Sequence, residues 1–230
     1  MVIKLYFAPV LGPIGGACVA ALVLNEKQVP FEAVPVNLHT YEHRSQPHLS
    51  RQPFGQVPVL DDNGFILYET RAICRYVAEK YPERGPRLLP GPDLQERSLF
   101  EQAASVEFAN FFAVVSAIRM EVTIKPHIGM EVDQGSVALL LGQLEMLLDV
   151  YEGILSKRAY LLGNELTLVD LFHLIAISAM KLGAIRELMT PDNRPNVARW
   201  WAALTSRPAW VRLQEEGIKS KSSVTQPEMQ

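Results

Sequence analysis

Cysteine is nearly absent from the sequence, and neither sign of charge dominates it. Cys18 and Cys74 are the only cysteines among 230 residues, so a disulfide-stapled scaffold is excluded and two reduced thiols are expected. The 22 basic and 25 acidic residues leave a net charge of −3. Proteins that bind nucleic acids neutralise phosphates with an excess of lysine and arginine, so no nucleic-acid partner is expected.

Long apolar runs and clusters of metal ligands are lacking as well. The longest apolar stretch, residues 166–180, is interrupted by Asp170 and His173, whereas a membrane-spanning helix needs about 18 or more apolar residues in a row. The first residues have neither the basic nor the long apolar region of a signal peptide, which predicts a cytoplasmic protein without a membrane span. His39 and His43 have no third ligand nearby in the sequence, so no metal site is expected.

What remains is the composition of a globular protein, with 48% hydrophobic and 20% charged residues. Residues 1–84 alternate between β-favouring and helical patterns in the order β-α-β-(α)-β-β-α, with a strong hairpin turn at 61–64. This order predicts an α/β N-terminal domain. The predicted strands are Ile3–Phe7, Phe31–Leu38, Val57–Leu60 and Phe65–Tyr68, and the predicted helices are Ala17–Glu26 and Glu69–Tyr81.

The remainder of the chain divides into three parts. Residues 85–92 are dense in proline and glycine and are predicted to be a linker. Residues 93–218 are helical in pattern and predict an all-α C-terminal domain. The polar residues 219–230 are predicted to be a disordered tail.

Three patterns define the helices of this second domain. Long helices are predicted over Leu94–Met120 and Val137–Leu155, where apolar residues recur every three or four positions. Thr167 and Asp170 have the spacing of a capping box, which predicts that a further helix starts there.

Two short motifs suit a peptide-like ligand. Pro58 lies at the start of a predicted strand, at a position where the strand ladder needs no amide donor. If the Val57-Pro58 peptide bond is cis, the Val57 backbone turns outward and can pair with an extended ligand. Glu69-Thr70 lies at a strand-to-helix junction, where free helix amides suit a carboxylate and Glu69 suits an ammonium group. Taken singly, each motif is more often an ordinary loop proline or an ordinary helix cap.

Motifs along most of the chain together resemble those of cytosolic glutathione transferases, and most closely those of phi-class members of the fungal and plant type. The resemblance runs from about residue 2 to residue 212, with the motifs in the family's order and spacing. In the first domain they are Glu42-His43 and the runs 49–58, 68–73 and 75–81; in the second they are the runs 148–152, 160–161, 168–171 and 206–210.

The resemblance implies a thioredoxin-like N-terminal domain with a mixed four-stranded sheet, an all-α C-terminal helical bundle, a cis-proline at Pro58 and a homodimer. It also implies glutathione as co-substrate, with no other cofactor. The residues that it places in the glutathione site are His43 and Arg44 for the glycyl carboxylate, Val57 with Gln56 for the cysteinyl unit, and Glu69 and Thr70 for the γ-glutamyl end.

One family feature is missing at the start of the first helix. Phi-class-like members carry a serine there whose hydroxyl bonds the glutathione sulfur, whereas residues 7–18 contain no serine or threonine and Ile14 falls near that position. Three explanations stay open: Cys18 as a nucleophile with a lowered pKa, Tyr6 as a hydrogen-bond donor, or backbone amides between Gly12 and Ala17 facing the sulfur. The third is favoured because glycine-rich turns at helix starts bind anions, and no catalytic side chain is assigned.

Several functions therefore compete. The favoured one is an enzyme that conjugates the glutathione thiolate to hydrophobic electrophiles, or reduces peroxides, with weak activity because the serine is absent. The alternatives are a ligandin-type protein that carries hydrophobic small molecules and a thiol transferase that uses Cys18. An interaction module is disfavoured, because such modules are usually attached to further domains.

Overall fold

A computed structural model of the protein describes residues 2–11, 15–176 and 183–220. The chain divides into two units, of which the first comprises Met1–Arg87 and Pro208–Gln230 and the second comprises Leu88–Arg207. The division after Arg87 falls inside the predicted linker, residues 85–92.

A mixed four-stranded sheet lies in the first unit and confirms the predicted fold class. Its strands are β1 (Ile3–Phe7), β2 (Phe31–Pro35), β3 (Val59–Asp62) and β4 (Phe65–Tyr68), in the order β2-β1-β3-β4. β1 runs parallel to β2 and antiparallel to β3, and β3 is antiparallel to β4 across the predicted turn.

The second strand is shorter than the sequence predicts, ending at Pro35 instead of Leu38. The reason is a side-chain turn at Asn37, whose Oδ1 accepts hydrogen bonds from the amides of His39 and Thr40 at 2.9 and 3.2 Å. Such Asn turns compete with strand pairing and end it.

Helix α1 (Gly15–Glu26) forms the centre of the first unit's core. All residues from Cys18 to Leu24 are fully buried, because a helix that is apolar on every side must be covered on every side. α1 packs against β1 and against α3 (Thr70–Lys80), while the short α2 (His48–Arg51) lies in the loop between β2 and β3.

Every described element of the second unit is helical. The backbone is helical without a break from Leu94 to His127, where α4 (Leu94–Val106), α5 (Ala113–Arg119) and α6 (Lys125–His127) are joined by two π-helical stretches, Glu107–Phe112 and Met120–Ile124. The other helices are α7 (Gln134–Leu155), α8 (Leu168–Phe172), α9 (Gly183–Leu188) and α10 (Pro195–Thr205).

Asp170 forms the predicted capping box at the start of α8. Its carboxylate is fully buried and accepts hydrogen bonds from the Thr167 amide at 2.9 Å, the Leu161 amide at 3.0 Å and the Trp200 indole at 3.0 Å. One side chain thus fixes three segments of the second unit to each other.

The last helix, α11 (Pro208–Glu216), belongs to the first unit, whereas the sequence places it in a C-terminal domain of residues 93–218. It packs against α1 with Trp210 buried, and the Gln214 amide lies 3.7 Å from the Cys18 sulfur. Beyond it, Ser220 Oγ accepts a hydrogen bond from the Ala33 amide at 2.9 Å. Residues 221–230 of the predicted tail lie outside the described residues.

The run Leu94–His127 is the one described helix that is long and apolar enough to cross a membrane, by length and composition alone. The sequence alone predicts no span because it contains no uninterrupted apolar run of the required length. A single helix of this kind is weak evidence, because core helices of soluble proteins meet the same criterion. Only 28% of its most apolar window is buried in the single chain.

Candidate functional site

The Val57-Pro58 motif has the backbone expected for binding an extended ligand. Its peptide bond is cis, as the resemblance implies. β3 begins at Val59, which pairs with Tyr6 and Tyr68, so Val57 lies just outside the ladder. Among the described residues, no hydrogen bond engages the N–H or C=O of Val57. These two groups are therefore available to a ligand backbone.

Glu69 precedes α3 in an unusual backbone conformation. Its φ and ψ angles are 71° and 116°, a region that non-glycine residues rarely adopt. Such a conformation costs on the order of 1–3 kcal/mol and is found most often at functional sites. The side chain is exposed, and within the described part of the chain its carboxylate has no hydrogen-bond or ion-pair partner. Thr70, the first residue of α3, is buried beside it.

The first turn of α1 lies close to both the Val57-Pro58 motif and the Glu69-Thr70 motif. A Cβ added to Gly16 would clash with Thr70 Oγ1 and would lie 3.3 Å from Pro58 Cδ. The absence of a side chain at Gly16 thus allows the first turn of α1 to touch both motifs. The first amides of a helix have no acceptor within the helix and carry partial positive charge.

His43 and Arg44 lie in a short 3₁₀ turn, Glu42–Arg44, which packs against the loop before Pro58. A Cβ on Gly55 would lie 2.7 Å from the His43 carbonyl oxygen and 2.9 Å from Arg44 Cδ. Arg44 also donates to the Phe54 carbonyl at 3.1 Å. The basic pair therefore borders the loop that carries Val57.

The His43 ring has an informative environment. Its Nδ1 is enclosed and has no hydrogen-bond partner among the described residues. A proton on Nδ1 would be buried without an acceptor, so the tautomer with the proton on Nε2 is favoured. Nε2 is then the nitrogen that can donate to a ligand.

The loop from Phe54 to Pro58 is held by two contacts that the sequence did not reveal. His48 Nε2 lies 2.9 Å from the Gln56 carbonyl oxygen, and the Phe54 ring meets the Tyr68 ring edge-on at 6.2 Å. The second contact ties the loop to the residue before Glu69. No local sequence pattern predicts either contact, because the tertiary fold brings the two residues of each pair together.

The structure thus brings all six predicted residues to one loop–helix surface of the first unit. An open backbone segment at Val57 has an acidic side chain, Glu69, on the α3 side and basic side chains, His43 and Arg44, on the 3₁₀ side. Among the described residues, no group of three or more His, Cys, Asp or Glu side chains could hold a metal ion.

Cys18 does not have the features of a reactive thiol. It is fully buried, and burial raises its pKa to about 12. A thiol with that pKa stays protonated at neutral pH, whereas the thiolate is the nucleophile. This finding opposes the thiol-transferase alternative.

Tyr6 is also poorly suited to donate to a ligand sulfur. It lies within β1, paired with Val34 and Val59, and is buried with the Arg51 guanidinium 4.8 Å from its ring centre. Gly12 and Ile14, the other residues considered near the missing serine, lie outside the described residues. The burial of Cys18 and of Tyr6 thus opposes the two explanations that depend on a side chain.

Comparison with known proteins identifies the family. Residues 10–79 match the model of the glutathione S-transferase N-terminal domain, and residues 113–208 match that of the C-terminal domain. Glutathione S-transferase hmp2 of Hypomyces subiculosus is 40% identical over 94% of this chain and 99% of its own. Glutathione S-transferase F12 of Arabidopsis thaliana is 37% identical over 93% and 97%.

A solved structure agrees with these relatives. Glutathione S-transferase I from maize, in complex with an atrazine glutathione conjugate, superimposes with a TM-score of 0.83 at 34% identity, over 95% of this chain and 100% of that one. The sheet, the helices and the motifs of this protein agree with these matches. The chain therefore belongs to the glutathione S-transferase family of enzymes, among relatives of the phi class from fungi and plants.

Proposed function

We propose that this transferase binds glutathione along the Val57 backbone, between Glu69 and the pair His43 and Arg44, and transfers its thiolate to hydrophobic electrophiles. The observation that carries the proposal is the open Val57 backbone with opposite charges on its two sides. Glutathione is an extended peptide with an ammonium group and a carboxylate at one end and a second carboxylate at the other. Its charges and its backbone are complementary to this surface.

Each predicted residue has a role that its surroundings support. Glu69 pairs with the ligand ammonium, and Thr70 at the helix start binds the γ-glutamyl carboxylate. Val57, beside Gln56, exchanges backbone hydrogen bonds with the cysteinyl unit. The glycyl carboxylate is bound by His43 Nε2 and Arg44; these are charge-assisted hydrogen bonds when the donor is cationic.

Backbone amides stabilise the thiolate in place of the missing hydroxyl. No side chain between residues 7 and 18 is a serine or threonine, and the first turn of α1 lies against Pro58 and Thr70. Gly15, Gly16 and Ala17 supply amides of that turn that have no acceptor within the helix. Each pKa unit by which the glutathione thiol is lowered requires about 1.4 kcal/mol of preference for the anion.

In the proposed reaction the sulfur donates an electron pair to an electrophilic carbon. A carbon–sulfur bond forms, and in a substitution the leaving group departs with the electrons of its bond to that carbon. With a peroxide, sulfur attacks oxygen, the O–O bond breaks, and an alcohol and a glutathione sulfenic acid result. A second glutathione converts the sulfenic acid to a disulfide and releases water.

The missing hydroxyl also favours a second candidate, a ligandin-type protein that binds glutathione and a hydrophobic molecule with little turnover. Transfer to a generic aromatic halide, 1-chloro-2,4-dinitrobenzene, separates the two. We expect a weak rate that depends on enzyme concentration. A rate equal to that of glutathione alone, with intact glutathione binding, supports the ligandin role.

The glutathione mapping is tested by calorimetry with Glu69→Ala. Losing the ion pair with the ligand ammonium should weaken glutathione binding by about 2–3 kcal/mol. Glu79→Ala removes an exposed carboxylate from the other end of α3 and serves as the matched control, with binding unchanged. Parent-like affinity of Glu69→Ala would show that the mapping is wrong.

We also propose that the protein is a homodimer. A groove of about 620 Å³ between the α4–α6 run and α7 is lined by Ala113, Val114, Leu147 and the strongly exposed Met146 and Val150. Exposed apolar side chains such as Met146 and Val150, beside a helical run that is mostly uncovered in the single chain, favour a protein interface. A second copy of the chain is the occupant that we propose for it.

Light scattering tests the dimer, since the monomer mass is 25.7 kDa. We expect twice this mass at micromolar concentration, and a shift toward the monomer for Met146→Glu. Leu94→Glu, which is exposed outside the groove, is the control and should stay dimeric. A monomeric parent rejects the proposal, and binding of that monomer to lipid vesicles would assign the apolar face to a membrane.

The cytoplasm remains the predicted location. Cys18 and Cys74 are both buried and form no disulfide, as is usual in a reducing compartment.

A further inference from the structure

The second unit contains a cavity of its own between α4, α7 and the loop that follows α7. Its volume is about 150 Å³, and it is half open to solvent. Leu99, which is 56% exposed, is at this cavity, and most of the remaining lining is apolar. The apolar lining residues include Ala103, Val106, Ile154 and Leu161.

Among the described lining residues, Arg158 is the only basic one. It is half-buried, and its guanidinium has no hydrogen-bond or ion-pair partner within residues 2–11, 15–176 and 183–220. A guanidinium has five N–H donors and cannot lose its charge in a protein. A partly desolvated, unpaired arginine beside an apolar cavity therefore favours an anion.

The backbone that carries Arg158 is fixed independently of its side chain. Arg199 donates hydrogen bonds to the carbonyls of Leu155, Arg158 and Ala159 at 2.9, 3.1 and 3.2 Å. Structural stability of this loop thus depends on Arg199. The charge of Arg158 is not needed for it.

Two other polar residues line the cavity. Gln102 adds an amide that can donate a further hydrogen bond. Tyr151 contributes only its ring, because its hydroxyl donates to His173 Nε2 at 3.0 Å. Nε2 is the acceptor there since His173 Nδ1 donates to the Val169 carbonyl at 2.8 Å. Arg158 can therefore only donate to a ligand, whereas Gln102 can donate through its amide nitrogen or accept through its amide oxygen.

We propose that this cavity binds a small monocarboxylate with one aromatic ring or a short branched chain, its carboxylate on Arg158 and Gln102 and its apolar part among Ala103, Val106 and Ile154. Apolar cavities of about 150 Å³ accept a molecule of the size of benzene. The partly open mouth leaves room for the carboxylate at its edge. This site is built from the second unit alone and does not depend on the glutathione site.

Calorimetry with phenylacetate and its neutral analogue phenylacetamide tests the proposal. Phenylacetate should bind the parent, and phenylacetamide should bind at least about tenfold more weakly, because a charge-assisted hydrogen bond is lost. Arg158→Gln should weaken phenylacetate by a similar factor and leave phenylacetamide unchanged. Lys157→Gln removes the neighbouring exposed charge and should change neither.

A second variant tests the volume. Ala103→Leu keeps Arg158 and fills the cavity, so phenylacetate binding should fall about tenfold or more while the thermal unfolding temperature confirms folding. Titration with saturating S-hexylglutathione present separates this site from the glutathione site. Unchanged phenylacetate binding supports the proposal. Competition by S-hexylglutathione, no binding to the parent, or parent-like binding by Arg158→Gln would each overturn it.

Discussion

Gly16→Ala is the substitution whose effect the structure determines most directly. Gly16 has no positive φ angle, so alanine would be expected to stabilise the helix by about 0.5–1 kcal/mol. The new Cβ, however, would clash with Thr70 Oγ1 and sit 3.3 Å from Pro58 Cδ. Overpacking of this kind costs about 1–3 kcal/mol, so the clash outweighs the helix preference.

We therefore expect Gly16→Ala to lower the free energy of unfolding by about 1–2 kcal/mol and to weaken glutathione binding. Thr70→Ala removes the clashing oxygen, so Gly16→Ala should cost much less in that background, and urea unfolding of the four proteins measures this coupling. Gly142→Ala, whose Cβ would meet nothing within 4 Å in α7, is the control and should stabilise. Equal effects of Gly16→Ala with and without the Thr70 hydroxyl would refute the contact between α1 and α3.

Three further outcomes follow from other groups. Cys18→Ala should have nearly the parent's rates in two assays, transfer of glutathione to an aromatic halide and thiol exchange with a glutathione mixed disulfide, because burial raises the Cys18 pKa to about 12. Loss of thiol exchange alone would show that Cys18 is the nucleophile. Burial acts to raise the pKa of Asp62, but hydrogen bonds from Lys80 and Tyr76 outweigh it and lower the pKa. The stabilisation from ionised Asp62 is complete above the unfolded-state pKa of about 4 and is lost as the pH falls through the lower folded-state pKa. In Asp62→Asn, the free energy of unfolding measured by urea should therefore depend less on pH in the acidic range. Asp170→Ala leaves amide, hydroxyl and indole donors without their acceptor. The free energy of unfolding should fall by about 3 kcal/mol or more in urea unfolding, and a fall of less than about 1 kcal/mol would contradict the observed network.

Local patterns in the sequence were sufficient for much of the fold. The hairpin turn 61–64, the capping box at Thr167 and the periodicity of Val137–Leu155 each depend on residues close in sequence, and each appears in the structure. The order and spacing of the family motifs predict the six glutathione-site residues, and this assignment stays a prediction.

Other features depend on residues far apart in the chain, and only the tertiary structure determined them. The pattern of α11 shows an apolar face, but no pattern states that α1 covers it or that Cys18 is thereby buried with a raised pKa. The close approach of Gly16 to Thr70 and Pro58 joins three segments, and no pattern within any one of them shows that they meet. The sequence also does not show that the Arg158 guanidinium lacks a partner within the described ranges, because an arginine in a loop is usually solvated. Sequence periodicity specifies which side of an element is apolar, whereas the partner that buries it is chosen by packing across the whole unit.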